Sequence, residues 1–322
     1  MTLSGYNNGS MEILSTASSI QNGEKIQLDN FAYNKDYDDL YTLKAVTTDK
    51  AGNQEEAAVI FSVNRFGSVY VLGDAARALV NNYYTNKEVP LIVTEINVDV
   101  LEFIDITYTR DGNIETLEDG IDYSVSASGS DASWKSYVYT VYEDNFKEEG
   151  TYSVTFYSMD RAANISDNKV KEMAVEFVVD KTPPTIVLSG IENAKRYNTD
   201  RVTMTIDAKD NIYLQNVEVY LDNICIKTFT DEELSESNGI AEFEILSADN
   251  WQEIRVTGMD AAGNEAAVDG ISVLITTNLW IQLYQNKPLF AAFIAAAGIV
   301  LGGVGFLAFF LKRKFHFGKL DA

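Results

Sequence analysis

One five-residue pattern, D-x-A-G/A-N, occurs three times in this chain of 322 residues and sets its organisation. The copies are Asp49–Asn53, Asp160–Asn164 and Asp260–Asn264, and their first residues lie 111 and 100 positions apart. Each interval is about the length of one small β-sandwich. The period therefore predicts serially repeated domains rather than a single large core.

Each copy follows a stretch in which apolar and polar residues alternate, a period typical of half-buried strands, and precedes another strand-like stretch. The stretches before the motifs are 41–45, 152–156 and 254–256, and those after them are 58–63, 175–179 and 271–275. An Asp side chain accepts hydrogen bonds from nearby backbone N–H groups, and Gly and Asn tolerate positive φ. The motif is thus predicted to join the last two strands of each sandwich as a hairpin, with some strain at Ala163, where Gly would fit better.

Other local signals agree with a chain built from strands. Dipeptides typical of two-residue hairpin turns are Asn8-Gly9, Asp111-Gly112 and Asp222-Asn223. Short helical turns are predicted at 74–81 and 231–235. A tyrosine corner, in which a Tyr hydroxyl bonds to backbone a few residues upstream, is predicted at Tyr41 and Tyr152, whereas the third unit has Gln252 at that position.

Residues 289–311 form an uncharged run that predicts a transmembrane helix. At about 1.5 Å per residue, the run spans roughly 35 Å. Lys312, Arg313 and Lys314 follow it, and positive flanks stay cytoplasmic, so the C-terminus is expected inside and the N-terminus outside. Trp280 and Tyr284 precede the run and are expected in the outer interface belt. Its small residues, including Gly298 and Gly302, suit either helix dimerisation or simple contact with lipid.

Together with the junction-like run Val179–Ile186 (VDKTPPTI), the three motifs resemble the bacterial immunoglobulin-like domains of Firmicutes surface proteins. The resemblance covers residues 1–276. It implies an all-β chain of tandem immunoglobulin-like β-sandwiches followed by one transmembrane α-helix. The implied domains are 1–65, 66–180 and 181–276, followed by a juxtamembrane linker at 277–288, the transmembrane helix at 289–311 and a cytoplasmic tail at 312–322.

Both ends of the chain carry expectations about a longer protein. The first domain has only 48 residues before its motif, so it is expected to lack its first strands. Residues 1–4 have neither a basic region nor an apolar core, so an export signal is expected upstream. The apolar run resembles the stop-transfer end of Gram-positive surface proteins, but residues 285–288 form no LPxTG sorting motif, so the helix itself is expected to remain the anchor.

Composition narrows the chemistry. The formal net charge of −23 disfavours nucleic acid as a partner. The single cysteine, Cys225, leaves no internal disulfide, and the single histidine, His316, lies beyond the apolar run. This excludes His-dependent catalysis and His-ligated metals from the outer part of the chain. We therefore assign no catalytic, cofactor-binding or metal-binding residues and no cofactor.

Three segments admit a second interpretation. Trp134, Tyr137, Tyr139 and Tyr142 form either an aromatic surface for glycans or an alternating strand that packs in a core. Asp207, Asp210 and Asn211 form either a polar turn or a calcium loop with Lys209 in its middle. The segment 36–39 is interpreted as a solvated acidic loop.

These observations predict a non-enzymatic cell-surface stalk or adhesion spacer, single-pass in the bacterial membrane. Its partners are expected to be membrane lipid through residues 289–311, and an extracellular protein or glycan. The alternatives are a glycan- or protein-binding module and the C-terminal stump of a larger surface enzyme.

Overall fold

A computed structural model of the chain describes residues 1–7, 10–28 and 31–317. The chain divides into two compact units, Met1–Lys181 and Thr182–Ala322. The fold is mostly β-sheet, in several sheets, and ends in one apolar helix, which confirms that part of the prediction.

The first unit begins with a single antiparallel sheet, here called the first sheet. Its strands are β1 (Thr2–Asn7), β2 (Ser10–Thr16), β3 (Asp39–Thr48) and β4 (Gln54–Val63), in the order β2-β1-β3-β4. Strands β1 and β2 pair antiparallel, while the predicted Asn8-Gly9 turn lies outside the described residues. Tyr41 stacks on Phe61 of the neighbouring strand, yet Val59 on the same face is 54% exposed.

The rest of the first unit is a two-sheet sandwich, here called the middle sandwich. Its elements are β5 (Val69–Leu72), α1 (Asp74–Asn82), β6 (Tyr84–Thr85), β7 (Leu91–Asn97), β8 (Leu101–Arg110), β9 (Asn113–Thr116), β10 (Tyr123–Ser128), β11 (Lys135–Val141), β12 (Gly150–Asp160), β13 (Ile165–Asp167) and β14 (Val175–Val179). One sheet has the order β10-β11-β7-β5 and the other β6-β14-β12-β8-β9, with β13 beside β12. Inward residues of both sheets form one core, in which Phe146, Tyr152 and Phe177 are at most 1% exposed.

The second unit contains another sandwich, here called the third sandwich. Its elements are β15 (Thr185–Ser189), β16 (Lys195–Tyr197), β17 (Arg201–Lys209), β18 (Leu214–Leu221), β19 (Ile224–Thr230), α2 (Asp231–Glu236), β20 (Ile240–Leu246), β21 (Gln252–Asp260) and β22 (Glu265–Ile275). The sheets β15-β17-β20 and β16-β22-β21-β18-β19 share an aliphatic core. A capping box between Thr230 and Glu233 starts α2, the second of the two predicted helical turns.

Two helices follow the third sandwich. The predicted linker 277–288 contains a short helix, α3 (Leu279–Gln285), and then α4 runs from Lys287 to Phe317. The stretch Lys287–Arg313 contains a window of 18 residues with a mean hydropathy of 2.4, none of which is buried in the protein, so the helix is long and apolar enough to span a membrane. The helix extends beyond the predicted run 289–311 at both ends, and residues 318–322 of the predicted tail lie outside the described part of the chain.

The three repeated motifs form the same turn. In each, both oxygens of the Asp carboxylate accept hydrogen bonds from the Asn four residues later, one from its backbone N–H and one from its side-chain amide, at 2.7–3.0 Å. The fourth residue has positive φ: 90° at Gly52, 62° at Ala163 and 87° at Gly263. The predicted left-handed position, occupied in the middle copy by alanine, is therefore confirmed.

The turns join antiparallel strands, but the middle copy differs from a simple hairpin. Its motif leads into the short strand β13, and the chain leaves the sheet before returning as β14. Asn168 explains the interruption, because its side chain accepts from the Phe156 N–H at 2.8 Å and donates to the carbonyls of Val154 and Met173. A buried side chain thus replaces ladder hydrogen bonds that a continuous strand would make.

Two of the predicted hairpin turns and both predicted tyrosine corners are confirmed. Asp111-Gly112 and Asp222-Asn223 each connect paired strands, and all four residues have positive φ, as a type I′ hairpin turn requires. The Tyr41 and Tyr152 hydroxyls each donate to the backbone carbonyl four residues upstream at 2.8 Å, which gives both tyrosine corners.

Candidate functional site

A cluster of hydrogen-bonded polar side chains lies where the first sheet meets the middle sandwich. We define the junction cluster as Asn64, Asn97, Asp99, Asp160 and Asn164. Asn64 directly follows β4, whereas Asn97 ends β7 and Asp160 ends β12. Strand ends bring these residues to one edge of the sandwich although they are far apart in sequence.

The side chain of Asn64 reaches three acceptors of the middle sandwich. Its Nδ2 lies 2.8 Å from Asp160 Oδ2, 2.9 Å from Asn97 Oδ1 and 3.3 Å from Asp99 Oδ2. In return, Asn164 Nδ2 donates to the backbone carbonyl of Asn64 at 3.1 Å. One residue at the end of the first sheet is therefore held by both its side chain and its backbone.

Asp160 is the centre of the cluster. It is 1% exposed, as is Asn97, and its Oδ2 accepts from the amide groups of Asn64, Asn97 and Asn164. Hydrogen bonds to a carboxylate compensate for the loss of solvation on burial. Asp160 thus closes the motif turn and also binds Asn64, the residue that follows the first sheet.

A second set of contacts surrounds Asp38. Its Oδ2 accepts from the backbone N–H groups of Arg65 and Phe66 at 2.9 and 2.8 Å, and its Oδ1 lies 3.5 Å from Arg65 Nε. The segment 36–39 was predicted to be a solvated loop, but Asp38 and Asp39 are only 6% and 8% exposed. Residues 64–68 between β4 and β5, here called the linker, cover Asp38, and Trp134 covers Asp39. These are non-local contacts that an acidic run does not reveal.

Two further side chains of the middle sandwich reach towards the first sheet. Trp134 Nε1 donates to Asp39 Oδ1 at 2.7 Å, and Lys171 Nζ donates to the Phe66 carbonyl in the linker. Burial, with a smaller contribution from the charge of Lys35, lowers the pKa of Lys171. The junction is therefore formed by contacts on several sides of the linker rather than by one flexible peptide.

The structure distinguishes between the two interpretations of the aromatic stretch. Tyr137 and Tyr139 are 8% and 0% exposed and lie in the core of the middle sandwich, as the alternating-strand interpretation predicts. The hydroxyl of Tyr137 accepts from the Leu101 N–H, and Trp134 bonds to Asp39. These residues do not form a shared exposed aromatic surface.

The proposed calcium loop has the geometry of a polar turn. Asp207 pairs with Lys209, whose Nζ lies 2.9 Å from Asp207 Oδ1. Asp210 Oδ2 accepts from the N–H groups of Ile212 and Tyr213, both at 2.9 Å. Asp207 therefore has a cationic partner of its own, and Asp210 stabilises the bend.

Other residues singled out in the sequence lie apart from the junction. Cys225 is exposed in β19, with its sulfur 3.9 Å from the Lys227 carbonyl. Gly298 and Gly302 lie in α4 with open space where a side chain would project. His316 falls within α4, but its side chain is outside the described residues.

Glu95, a carboxylate buried in the middle sandwich, was not predicted from the sequence. It is 1% exposed, accepts from Tyr139 Oη at 2.6 Å and also accepts from Ser158 Oγ. Burial, followed by the charge of Glu95, raises the pKa of the Tyr139 hydroxyl far above its usual range. The strand pattern places Glu95 at an inward position, and this exception to the apolar alternation was the only available indication.

Neither the family models nor the curated proteins match this chain. The junction geometry is accordingly the main guide to function. It contains hydrogen-bonded amides and carboxylates that join the first sheet to the middle sandwich, an arrangement suited to holding the two together.

Proposed function

We propose that this chain is a non-catalytic stalk or adhesion spacer on a bacterial cell surface, built from tandem immunoglobulin-like domains of the Firmicutes type and anchored by α4. In this proposal α4 is a single span, with the N-terminus outside and the C-terminus in the cytoplasm. The β-rich fold and the exposed apolar helix support the anchoring.

The observation that carries the proposal is the hydrogen bonding of Asn64 across the junction. A spacer must resist bending between its domains, and a flexible linker alone does not provide this. Here one linker residue bonds to Asp160, Asn97 and Asp99 and receives Asn164 on its carbonyl. These hydrogen bonds hold the first sheet in one orientation on the middle sandwich, as a rigid spacer requires.

The burial of Tyr137 and Tyr139 favours the spacer over a glycan-binding module, because the aromatic residues most suited to stacking on sugars are inside the core. The polar groups at the junction are occupied by one another. The remaining alternative, a stump of a larger surface enzyme, places its chemistry outside the described domains.

Double electron–electron resonance tests the rigid junction directly. Spin labels at Glu55→Cys and Glu102→Cys, both at exposed positions, report the distance between the first sheet and the middle sandwich in a Cys225→Ser background. We expect a narrow distance distribution in the otherwise native chain. Asn164→Ala should broaden it because the bond to the Asn64 carbonyl is lost.

The matched control is Asn53→Ala. Asn53 occupies the same motif position and bonds to Asp49 in the same way, but within a turn exposed to solvent. Its replacement should leave the distribution unchanged. A native distribution as broad as that of Asn164→Ala would refute the rigid spacer.

Protease protection tests the anchoring. When the chain is expressed behind a secretion signal, protease added to intact protoplasts should remove the β-domains and leave a fragment that contains α4. Full protection of the β-domains, or complete release of the chain without detergent, would contradict the proposed topology.

A further inference from the structure

The short helix α3 carries an apolar surface that the described protein leaves uncovered. We define the α3 patch as Leu279, Trp280 and Tyr284, which are 70%, 68% and 63% exposed. The helix sequence, LWIQLYQ, contains no charged residue. Trp280 and Tyr284 are four residues apart and therefore share one face.

The opposite side of α3 is attached to the third sandwich. Gln282 Nε2 donates to the Thr276 carbonyl at 2.7 Å and to Asn198 Oδ1 at 3.0 Å, and an Arg196 guanidinium nitrogen donates to the Gln285 carbonyl at 3.1 Å. Asn278 caps the helix by accepting from the Trp280 N–H. The segment between sandwich and α4 is therefore a docked helix rather than a free tether.

The α3 patch is continuous with the apolar surface of α4. The Trp280 ring packs edge-on against Phe293 at 5.8 Å between centroids, and Tyr284 packs against Phe290 at 5.3 Å. Phe293 lies about 9 Å along the helix from Lys287 at 1.5 Å per residue. Trp280 thus lies beside the first two turns of α4, at the depth where Trp and Tyr concentrate in membrane interfaces.

We propose that α3 lies in the outer interface of the bilayer, with the α3 patch among the headgroups and upper acyl chains, and that it mounts the third sandwich directly on the membrane. This inference rests on the proposed membrane anchoring by α4. The partner is a lipid surface, and because α3 is uncharged, zwitterionic lipid is sufficient. Arg196, which donates to the Gln285 carbonyl at the end of α3, and Lys287, two residues further on, suit the phosphate level.

Bromolipid quenching of tryptophan fluorescence tests the location. The full chain contains three tryptophans, so about one third of the emission should be quenched in phosphatidylcholine vesicles brominated near the headgroup end of the acyl chain. Trp280→Phe should abolish that quenching, whereas the matched control Trp251→Phe should retain it. Equal quenching in the native chain and in Trp280→Phe would overturn the proposal.

A separate reporter distinguishes this proposal from the anchoring on which it rests. Phe306→Trp in a Trp280→Phe background places the fluorophore far along α4, where lipid brominated deep in the acyl chain should quench it. If this variant is quenched and Trp280 is not, only the interfacial mount fails. If neither is quenched, the membrane anchoring fails as well.

The mount itself is tested by the distance from the native Cys225 to a label at Leu289→Cys. Protein that is spin-labelled at these two positions and otherwise native should give a narrow distance distribution in phosphatidylcholine nanodiscs. Arg196→Ala and Gln282→Ala together should at least double the width of this distance distribution, while bromolipid still quenches the fluorescence of Trp280. A distribution that is equally broad before and after the replacements would show that α3 is a flexible connection.

Discussion

Asn64→Ala is the most informative substitution at the junction. The side chain of Asn64 donates to one buried carboxylate and one buried amide, at 2.8 and 2.9 Å, and more weakly to Asp99 at 3.3 Å. A hydrogen bond to a charged group contributes about 1.5–3 kcal/mol and a neutral one about 1 kcal/mol. We expect Asn64→Ala to destabilise the junction by about 3 kcal/mol.

Native-state hydrogen exchange measures this effect locally, in the full chain in detergent micelles, without assuming that several domains unfold together. Since 1.4 kcal/mol corresponds to a factor of ten, 3 kcal/mol should accelerate exchange about 100-fold at the junction end of β12 and in residues 64–68. The third sandwich should be unaffected because it belongs to the other compact unit.

Asn53→Ala is again the control. It removes an amide that donates to Asp49 at 2.8 Å in an exposed turn, where water replaces the lost partner. Its effect should stay below about 1 kcal/mol. If Asn64→Ala and Asn53→Ala accelerate exchange equally, burial of the junction cluster does not stabilise the contact, and the argument for a rigid junction is wrong.

Three other predictions each follow from a single contact. Ala163→Gly should stabilise the middle sandwich by about 0.5–1 kcal/mol, because a left-handed residue other than Gly costs about 1–2 kcal/mol and the added flexibility of the unfolded chain offsets part of this. Gly263→Ala should destabilise the third sandwich, and melting temperatures that move in the same direction for both variants would refute backbone strain at Ala163. Glu95→Ala leaves the buried Tyr139 hydroxyl without its acceptor and should lower the stability of this sandwich by about 3 kcal/mol in urea unfolding, more than Glu95→Gln, which keeps a carbonyl oxygen. The Asn53 side-chain amide holds the pKa of Asp49 below its usual 3.8. The stabilisation that this hydrogen bond contributes is therefore complete above about pH 4 and is lost as the pH falls through the lower pKa of the folded state. A carboxyl titration followed by NMR should show the pKa of Asp49 rising in Asn53→Ala, and an unchanged pKa would refute the assignment.

Local turn chemistry was readable from the sequence because each turn depends on residues that are close together in the chain. The motif requires an acceptor, a left-handed position and an amide within five residues, and the structure places all three as expected at Asp160–Asn164. The hairpin at Asp111-Gly112 and the tyrosine corner at Tyr152 are equally local. In each case the interacting groups are at most four residues apart.

The helix α3 was missed for a different reason. Residues 277–288 lack the length and the periodicity that signal a helix, and seven residues are too few to be stable alone in water. The helix is held by the cap at Asn278 and by contacts from Gln282 to Asn198 and Thr276. Two of these three supports come from residues brought together by the third sandwich.

The junction cluster shows the same limit more sharply. Asn64 and Asp160 are 96 residues apart, and neither has a neighbour in sequence that marks it as part of a contact. Asp160 resembles Asp49 in motif and turn geometry, yet Asp160 is 1% exposed and Asp49 is exposed. The difference arises from position. The turn of the middle sandwich contacts Asn64, at the end of the first sheet, whereas the turn at Asp49 lies at the opposite end of β3 and β4 from Asn64. The motif that closes the turn at Asp160 therefore also joins the middle sandwich to the first sheet, and this contact depends on Asn64, the residue that follows β4.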